Sequence, residues 1–209
     1  VERDNVLMCA GLPNEGQGSY PLMWCMFNGL VVGVTDGEHL SDDTPAAYDG
    51  PGRMRPDLVG PLGTTSAATG LVSGCGALLV DTARADASLP VEAEATEVIK
   101  AALLAGAVKT TPDDDWTNHP GTGVDRGITT RPLDDAYGAG TVNVDRGHRI
   151  ISGGRTWGGI YEDSPGVAGL HGFDLAFCLA GNSRWWGFSL DGEVEEASIA
   201  ATWNRDVNA

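Results

Sequence analysis

In the first third of the chain, short and wholly apolar runs lie between glycine-rich and polar turns. Residues 6–10 and 30–34 are runs of this kind, bounded by Gly, Pro and Asn. Such runs are typical of strands buried on both faces of a parallel sheet. Residues 23–27 form another apolar stretch, which fits a helix or a strand. The pattern therefore predicts a parallel sheet in this region.

From Ser66 the continuous apolar runs give way to apolar residues at helical spacing. One apolar stripe follows the helical period, and the residues around it are small, so the pattern predicts a central buried helix packed on every side. A second helix is expected after Pro90, with Thr96 as a candidate cap and Gly106 as its end. The stripe of the first helix consists of Ala68, Leu71, Val72, Cys75, Leu78 and Leu79.

The pattern of apolar and polar residues changes again after Gly153 and Gly154. Residues 173–180, 185–190 and 197–207 alternate apolar and polar positions and are separated by Gly-Asn and Asp-Gly turns. This pattern predicts antiparallel strands. We expect a boundary near residue 152, with one domain at 1–152 and the start of a β-rich accessory module, a partial antiparallel β-sandwich, at 153–209.

Composition narrows the classes of partner. The chain has 209 residues, 42% hydrophobic and 20% charged, which is enough apolar material for a folded core. Thirteen basic residues against twenty-nine acidic ones give a net charge of -16, which repels phosphate backbones. We therefore expect no nucleic-acid partner. An uninterrupted apolar run of eighteen residues is lacking, so no membrane partner is expected for this segment.

Metal and cofactor chemistry have little support in the sequence. The four cysteines form no C-x-x-C pair and no cluster with the four histidines, so we interpret them as small buried apolar residues. The acidic clusters at 42–43, 113–115 and 193–196 lack the alternating spacing of an EF-hand loop, which favours solvated carboxylates over calcium ligands. We expect no cofactor, and structural calcium has no assignable site.

The segment with the clearest chemical content is 63–74. Its serine, Ser66, stands at the start of a helix, where unpaired backbone amides and the positive helix end favour negative charge. An ordinary helix cap would explain the same local pattern.

Several segments around this serine resemble those of the subtilisin-like serine peptidases. Four further segments, residues 11–16, 32–36, 56–61 and 137–144, are similar to family motifs in the family's order, and together the matches cover about residues 6–150. Thr64 stands where the family has Gly, and Gly70 where it has Pro. The nucleophile segment Gly-Thr-Ser-x-Ala-x-Pro-x-Val-x-Gly is matched by Thr65, Ser66, Ala68, Val72 and Gly74.

This resemblance implies an α/β fold, the C-terminal part of a subtilisin-like parallel sheet flanked by helices. It implies a serine endopeptidase that forms an acyl-enzyme on Ser66 and hydrolyses polypeptide substrates. Asn14 then supplies an oxyanion-hole donor, together with the Ser66 amide. A turn-forming Asn-Glu-Gly explains Asn14 on local grounds equally well. The resemblance also implies a secreted or cell-surface protein, while the oligomeric state stays open.

The catalytic Asp and His that such a serine needs precede it in the family. Only 65 residues stand before Ser66, too few for those units, and the chain opens at Val1 without Met. We therefore expect an internal piece of a longer protein, inactive alone. No histidine is assigned to catalysis, and His39 is expected to lie in a solvated turn.

Two alternatives to the active endopeptidase are kept. The first is a catalytically inactive, peptidase-like binding or surface module, which Thr64 and Gly70 favour. The second is a sedolisin-type serine-carboxyl peptidase, which uses a glutamate base.

Overall fold

A three-stranded parallel sheet organises the first part of the molecule. The strands of this region are β1 (Met8–Gly11), β2 (Gly29–Val34), β3 (Asp42–Asp43), β4 (Met54–Arg55) and β5 (Leu58–Gly60), with β3 and β4 forming a separate antiparallel pair. The order β1-β2-β5 in the sheet confirms the parallel sheet that the apolar runs predict. Every residue of β2 is buried, because this strand lies between the other two and is covered by a helix.

The structure is a computed structural model, and it describes part of the chain. The described part is a mixed α/β structure with this small parallel sheet and three α-helices. Residues 23–27, for which the sequence leaves helix and strand open, form turns and a bend instead. The described residues are 5–14, 23–40, 42–43, 54–109, 133–134, 136–177, 181–190, 192 and 197–204.

One helix packs against all three strands of the parallel sheet, and two further helices pack against that helix and against each other. In this order the helices are α1 (Thr65–Ala85), α2 (Thr96–Gly106) and α3 (Val144–Ser152), with a short 3-10 helix at Val91–Glu94. The positions of α1 and α2 confirm the two helices that the apolar spacing predicts. Their inward side chains join those of the strands in one core.

The expectation that α1 is packed on every side is wrong within the described residues. Ala68, Val72 and Leu79 are fully buried, but Leu71 and Leu78 of the predicted stripe are exposed. The reason is geometric, because the sheet and the other helices lie along only one side of α1. By length and composition alone α1 could also cross a membrane, a weak indication that core helices share.

The exposed side of α1 contains two glycines whose conformational freedom the fold does not use. A Cβ added at Gly70 or Gly74 would meet no atom within 4 Å. Because glycine in a helix interior costs about 0.5–1 kcal/mol relative to alanine, we expect Gly70→Ala and Gly74→Ala each to raise the free energy of unfolding by about that amount. Urea unfolding measures this change in the free energy of unfolding. Gly60→Ala is the matched control and should destabilise, since its Cβ would lie 2.9 Å from that of Ala68. A loss of stability in the two helix variants would contradict the prediction.

The N-terminus of α2 is capped from a distant part of the chain. The predicted cap, Thr96, is instead the first helical residue, and the cap position is Ala95, which has no side-chain acceptor. Asn5 takes that role, because its Oδ1 accepts a hydrogen bond from the Thr96 amide at 2.9 Å. Thr202 Oγ1 also donates to the Glu97 carbonyl, so segments from both halves of the chain meet at this helix.

Helix α3 has no counterpart in the sequence-based predictions. It begins at an ordinary cap, Asn143, whose Oδ1 accepts from the Arg146 amide at 3.0 Å. It then packs closely on α2, since a Cβ added at Gly106 would lie 2.9 Å from the Gly147 nitrogen. Glycines on both helices thus allow the close approach.

The predicted antiparallel β-sandwich is wrong for the described residues. Strands β6 (Gly166–Ala168) and β7 (Trp186–Phe188) form one two-stranded sheet, and they are parallel. Residues 173–177 form no strand, because Phe173 packs into the helical core while Phe177 is exposed. Residues 178–180 and 205–207 of the predicted strands lie outside the described structure.

Arg155 fastens the segment after α3 to the first part of the chain. Its guanidinium is buried and donates to Asp174 Oδ1 at 2.9 Å, to Glu92 Oε1 at 2.8 Å and to the Leu175 carbonyl. The same group lies 3.5 Å from the centre of the Trp157 ring. The boundary near residue 152 stays a prediction.

Candidate functional site

The two residues singled out by the sequence, Asn14 and Ser66, lie at the same edge of the sheet. Asn14 follows β1 by three residues, and α1 begins five residues after β5. Since β1 and β5 run parallel through β2, their carboxyl ends meet at one edge. Asn14 Oδ1 accepts hydrogen bonds from the backbone nitrogen of Thr65, at 2.9 Å, and from its Oγ1, at 3.2 Å. The fold thus links Asn14 to the residue before Ser66.

These two hydrogen bonds orient the Asn14 amide. Because Oδ1 is used by both donors of Thr65, the other end of the amide group, Nδ2, points away from Thr65 and keeps its own N–H donors. No hydrogen-bond partner for Nδ2 occurs within the described residues. Asn14 therefore has free N–H donors, rather than a free acceptor, beside the start of α1.

Ser66 is the second residue of α1 and is exposed. The other early amides of the helix have acceptors: Thr65 N donates to Asn14, Ala67 N to Thr64 Oγ1, and Ala68 N to the Thr64 carbonyl. In the part of the chain that the structure describes, the Ser66 amide has none. A free backbone N–H and the Asn14 amide are thus both available near one exposed hydroxyl, at the positive end of a helix.

Two glycines allow the start of α1 to lie close to the strand ends. A Cβ added at Gly11 would lie 2.9 Å from Thr69 Oγ1, and one added at Gly60 would lie 2.9 Å from the Ala68 Cβ. Thr69 Oγ1 in turn donates to the Thr65 carbonyl at 2.7 Å. The close approach brings the helix N-terminus within reach of Asn14.

His39, expected in a solvated turn, is buried. Its Nδ1 accepts a hydrogen bond from the Val34 amide at 3.1 Å, and its Nε2 lies 2.8 Å from the Ala136 carbonyl. The expectation is wrong because the chain turns back after β2 and places the ring over Gly33, whose missing side chain leaves the space. Burial lowers the pKa of His39, while the Ala136 hydrogen bond and the negative charge of Asp36 act in the opposite direction.

None of the described histidines contacts Ser66. His39 uses both ring nitrogens elsewhere, and His148 lies on α3 with its Nε2 3.4 Å from Ser152 Oγ. His171 is exposed in the segment after α3, and His119 lies outside the described residues. The local residues therefore supply a hydroxyl and two donors but no base.

The described residues contain no group of three or more His, Cys, Asp or Glu side chains suited to a metal ion. The acidic clusters at 113–115 and 193–196 lie outside them, as does Cys178. Cys75 is buried, whereas Cys9 and Cys25 are partly exposed. Burial raises the pKa of the Cys9 and Cys75 thiols, so burial disfavours their thiolate forms.

Comparison with known proteins gives distant structural likenesses, one of them to a maturation protease. No protein-family model matches the chain, and no curated protein matches it. A solved structure, that of the prenylagaramide maturation protease PagA, is 20% identical with a TM-score of 0.44 and covers 70% of this chain. The chain spans half the length of that protein. A likeness this distant supports no conclusion about function.

The membership in the subtilisin-like peptidases that the motifs imply is contradicted by these comparisons, and we do not assign the chain to that family. The structure supplies a physical reason why short motifs mislead here. Gly11 and Gly60 are required for close helix packing, and Asp57 is required for a buried ion pair. Where a helix comes after a parallel sheet, small residues and turns at these points are required by the packing itself.

Proposed function

We propose that this chain carries the nucleophile and the oxyanion donors of a peptidase-like enzyme that works by acyl transfer. Ser66 is the nucleophile, and its backbone amide and Asn14 Nδ2 receive the developing negative charge. The single observation that supports this is a pair of N–H donors, on Ser66 and Asn14, that have no acceptor among the described residues and lie beside an exposed serine at a helix N-terminus.

The chemistry follows from these groups. Ser66 Oγ attacks a substrate carbonyl carbon and gives its proton to a base, and the carbonyl oxygen becomes an oxyanion held by the two N–H donors. Collapse of this intermediate expels the amine, which takes the proton, and leaves an acyl group on Oγ. Water then hydrolyses the ester and restores the serine. This sequence needs no cofactor.

The base has to come from outside the described residues. A serine hydroxyl without an adjacent base is a weak nucleophile, so the geometry around Ser66 is incomplete by itself. A polypeptide is the proposed substrate class, and the exposure of Ser66 at the start of α1 makes its hydroxyl accessible to one.

A second candidate is a binding module that has the same site but no catalysis. The observation that favours it is the lack of any described histidine in contact with Ser66. In that case the two donors would hold a carbonyl or carboxylate group of a bound peptide, and Ser66 would not be acylated.

A phosphonate probe that labels activated serines separates the two candidates. We expect the 209-residue chain alone to stay unlabelled, because its described residues place no base at Ser66. The protein at the length its source produces should be labelled at Ser66, and its Ser66→Ala variant should not be. Ser152→Ala is the matched control and should leave labelling unchanged.

Each contrary outcome is informative. Labelling of Ser66 in the 209-residue chain would show that a base lies within it. A natural-length protein that binds peptides but is never labelled would favour the binding module.

A further inference from the structure

His39 connects three segments that meet at the candidate site. Its Nδ1 accepts from the Val34 amide at the end of β2, and its Nε2 faces the Ala136 carbonyl, so the neutral ring with the proton on Nε2 satisfies both contacts. Its backbone forms a bridge with Asn14, and the next amide, Leu40 N, donates to the Pro13 carbonyl at 3.0 Å. The imidazole thus supports the segment that presents Asn14.

Among the described residues, a second proton on this ring has no acceptor, because Nδ1 faces the Val34 amide. Protonation at Nδ1 would place an N–H group opposite the N–H group of Val34, so a hydrogen bond would be replaced by two facing donors. The ring cannot move towards β2, since it already lies against Gly33. The turn that carries His39 must therefore shift, together with its bridge to Asn14.

The charges around the ring do not remove this conflict. Asp36 and Glu38 lie on its own turn, and Asp36 Oδ1 accepts from the Glu38 amide. On the turn that faces Nε2, Asp134 Oδ1 accepts from the amides of Ala136 and Tyr137. These carboxylates favour a positive ring, but none of the described ones offers an acceptor to Nδ1, which faces the Val34 amide.

We propose that His39 is a proton-operated latch, in which the neutral imidazole holds the Asn14 segment against the start of α1 and protonation at Nδ1 releases it. The latch stands on these contacts whether or not Ser66 is a nucleophile. Where the proposed function holds as well, the latch makes the oxyanion donors available at neutral pH and withdraws Asn14 in acid.

The experiment is an NMR titration of the 209-residue chain from about pH 8 to about pH 4.5, across the ordinary histidine range. It follows the His39 ring nitrogens, the Asn14 side-chain amide and the Thr65 backbone amide. We expect all three to change with one midpoint, and the protection factor of the Thr65 amide, corrected for intrinsic exchange, to fall about tenfold or more. The Thr96 amide, held by Asn5, is the internal control and should keep its protection.

His39→Gln, whose amide can donate to Ala136 without titrating, should show no pH response at Thr65. If that variant does not fold, the shared midpoint in the unmodified chain decides the question. The latch is overturned if His39 titrates while Asn14 and Thr65 do not respond, if the variant responds like the unmodified chain, or if the ring stays neutral until the whole fold is lost.

Discussion

Replacing Asp57 with alanine is expected to lower the free energy of unfolding by about 3–5 kcal/mol, because it removes one partner of a buried ion pair. Asp57 and Arg55 are both almost fully buried and in contact. Asp57 Oδ2 also accepts a hydrogen bond from the Val31 amide in the central strand at 2.7 Å. The substitution removes the Asp57 carboxylate from the buried Arg55 guanidinium and takes away the acceptor of the Val31 amide.

Two variants separate the charge from the hydrogen bond. Asp57→Asn keeps an acceptor for Val31 but removes the negative charge, so it should lose most of the same stability. The double variant Arg55→Met with Asp57→Leu removes both charges and should regain part of it. Recovery is incomplete, since Arg55 also donates to the carbonyls of Trp24 and Met26, at 3.1 and 2.8 Å. Urea unfolding measures all three, and a cost below about 1 kcal/mol for Asp57→Ala would contradict the buried-pair argument.

The elements that follow from local periodicity could be predicted from the sequence. Strands β1 and β2 are short apolar runs, and α1 and α2 have apolar residues at helical spacing, so neighbouring residues contain enough information. Helix α3 had a readable signal as well. Asn143 is a good cap, and Val144, Gly147 and Ile151 lie on one face, but this region enters the sequence-based predictions only as the family-like motif at residues 137–144.

Contacts between distant segments could not be predicted in this way. Asn5 caps α2 from 91 positions away, and His39 is buried by a turn 97 positions further along the chain. Neither residue has a local pattern that distinguishes it from a surface turn residue. The strand alternation after Phe173 failed for a related reason, because burial there is decided by the helical core and by Arg155 rather than by a sheet.

For the candidate site, the sequence supplied the residues but not the contact between them. Asn14 and Ser66 were chosen separately, and Thr65, which joins them through its amide and its hydroxyl, was only a motif position. The parallel order of β1, β2 and β5 explains why they meet. Parallel strands of one sheet end at the same edge. A polar loop that follows one strand and a helix that follows another therefore begin at that edge, whatever the protein family.

The kinetic effect of Asn14 is the sharpest test of the proposed roles. In the protein at its natural length, we expect Ser66→Ala to abolish turnover. Asn14→Ala should lower kcat by about a hundredfold or more with little change in KM, because an oxyanion donor acts mainly in the transition state. Asn14 also holds Thr65, so Thr65→Val, which removes only the hydroxyl contact, shows how much of the loss comes from the helix start moving.

Asn143→Ala is the matched control for removing an asparagine that caps a helix away from the site, and it should leave kcat near normal. Initial rates on a peptide substrate, with each variant checked for folding by circular dichroism, give both constants. A near-normal kcat for Asn14→Ala would remove Asn14 from the site. Equal losses for Thr65→Val and Asn14→Ala would assign the effect to the position of α1 rather than to the Asn14 donor, and turnover in Ser66→Ala would refute acyl transfer at this serine.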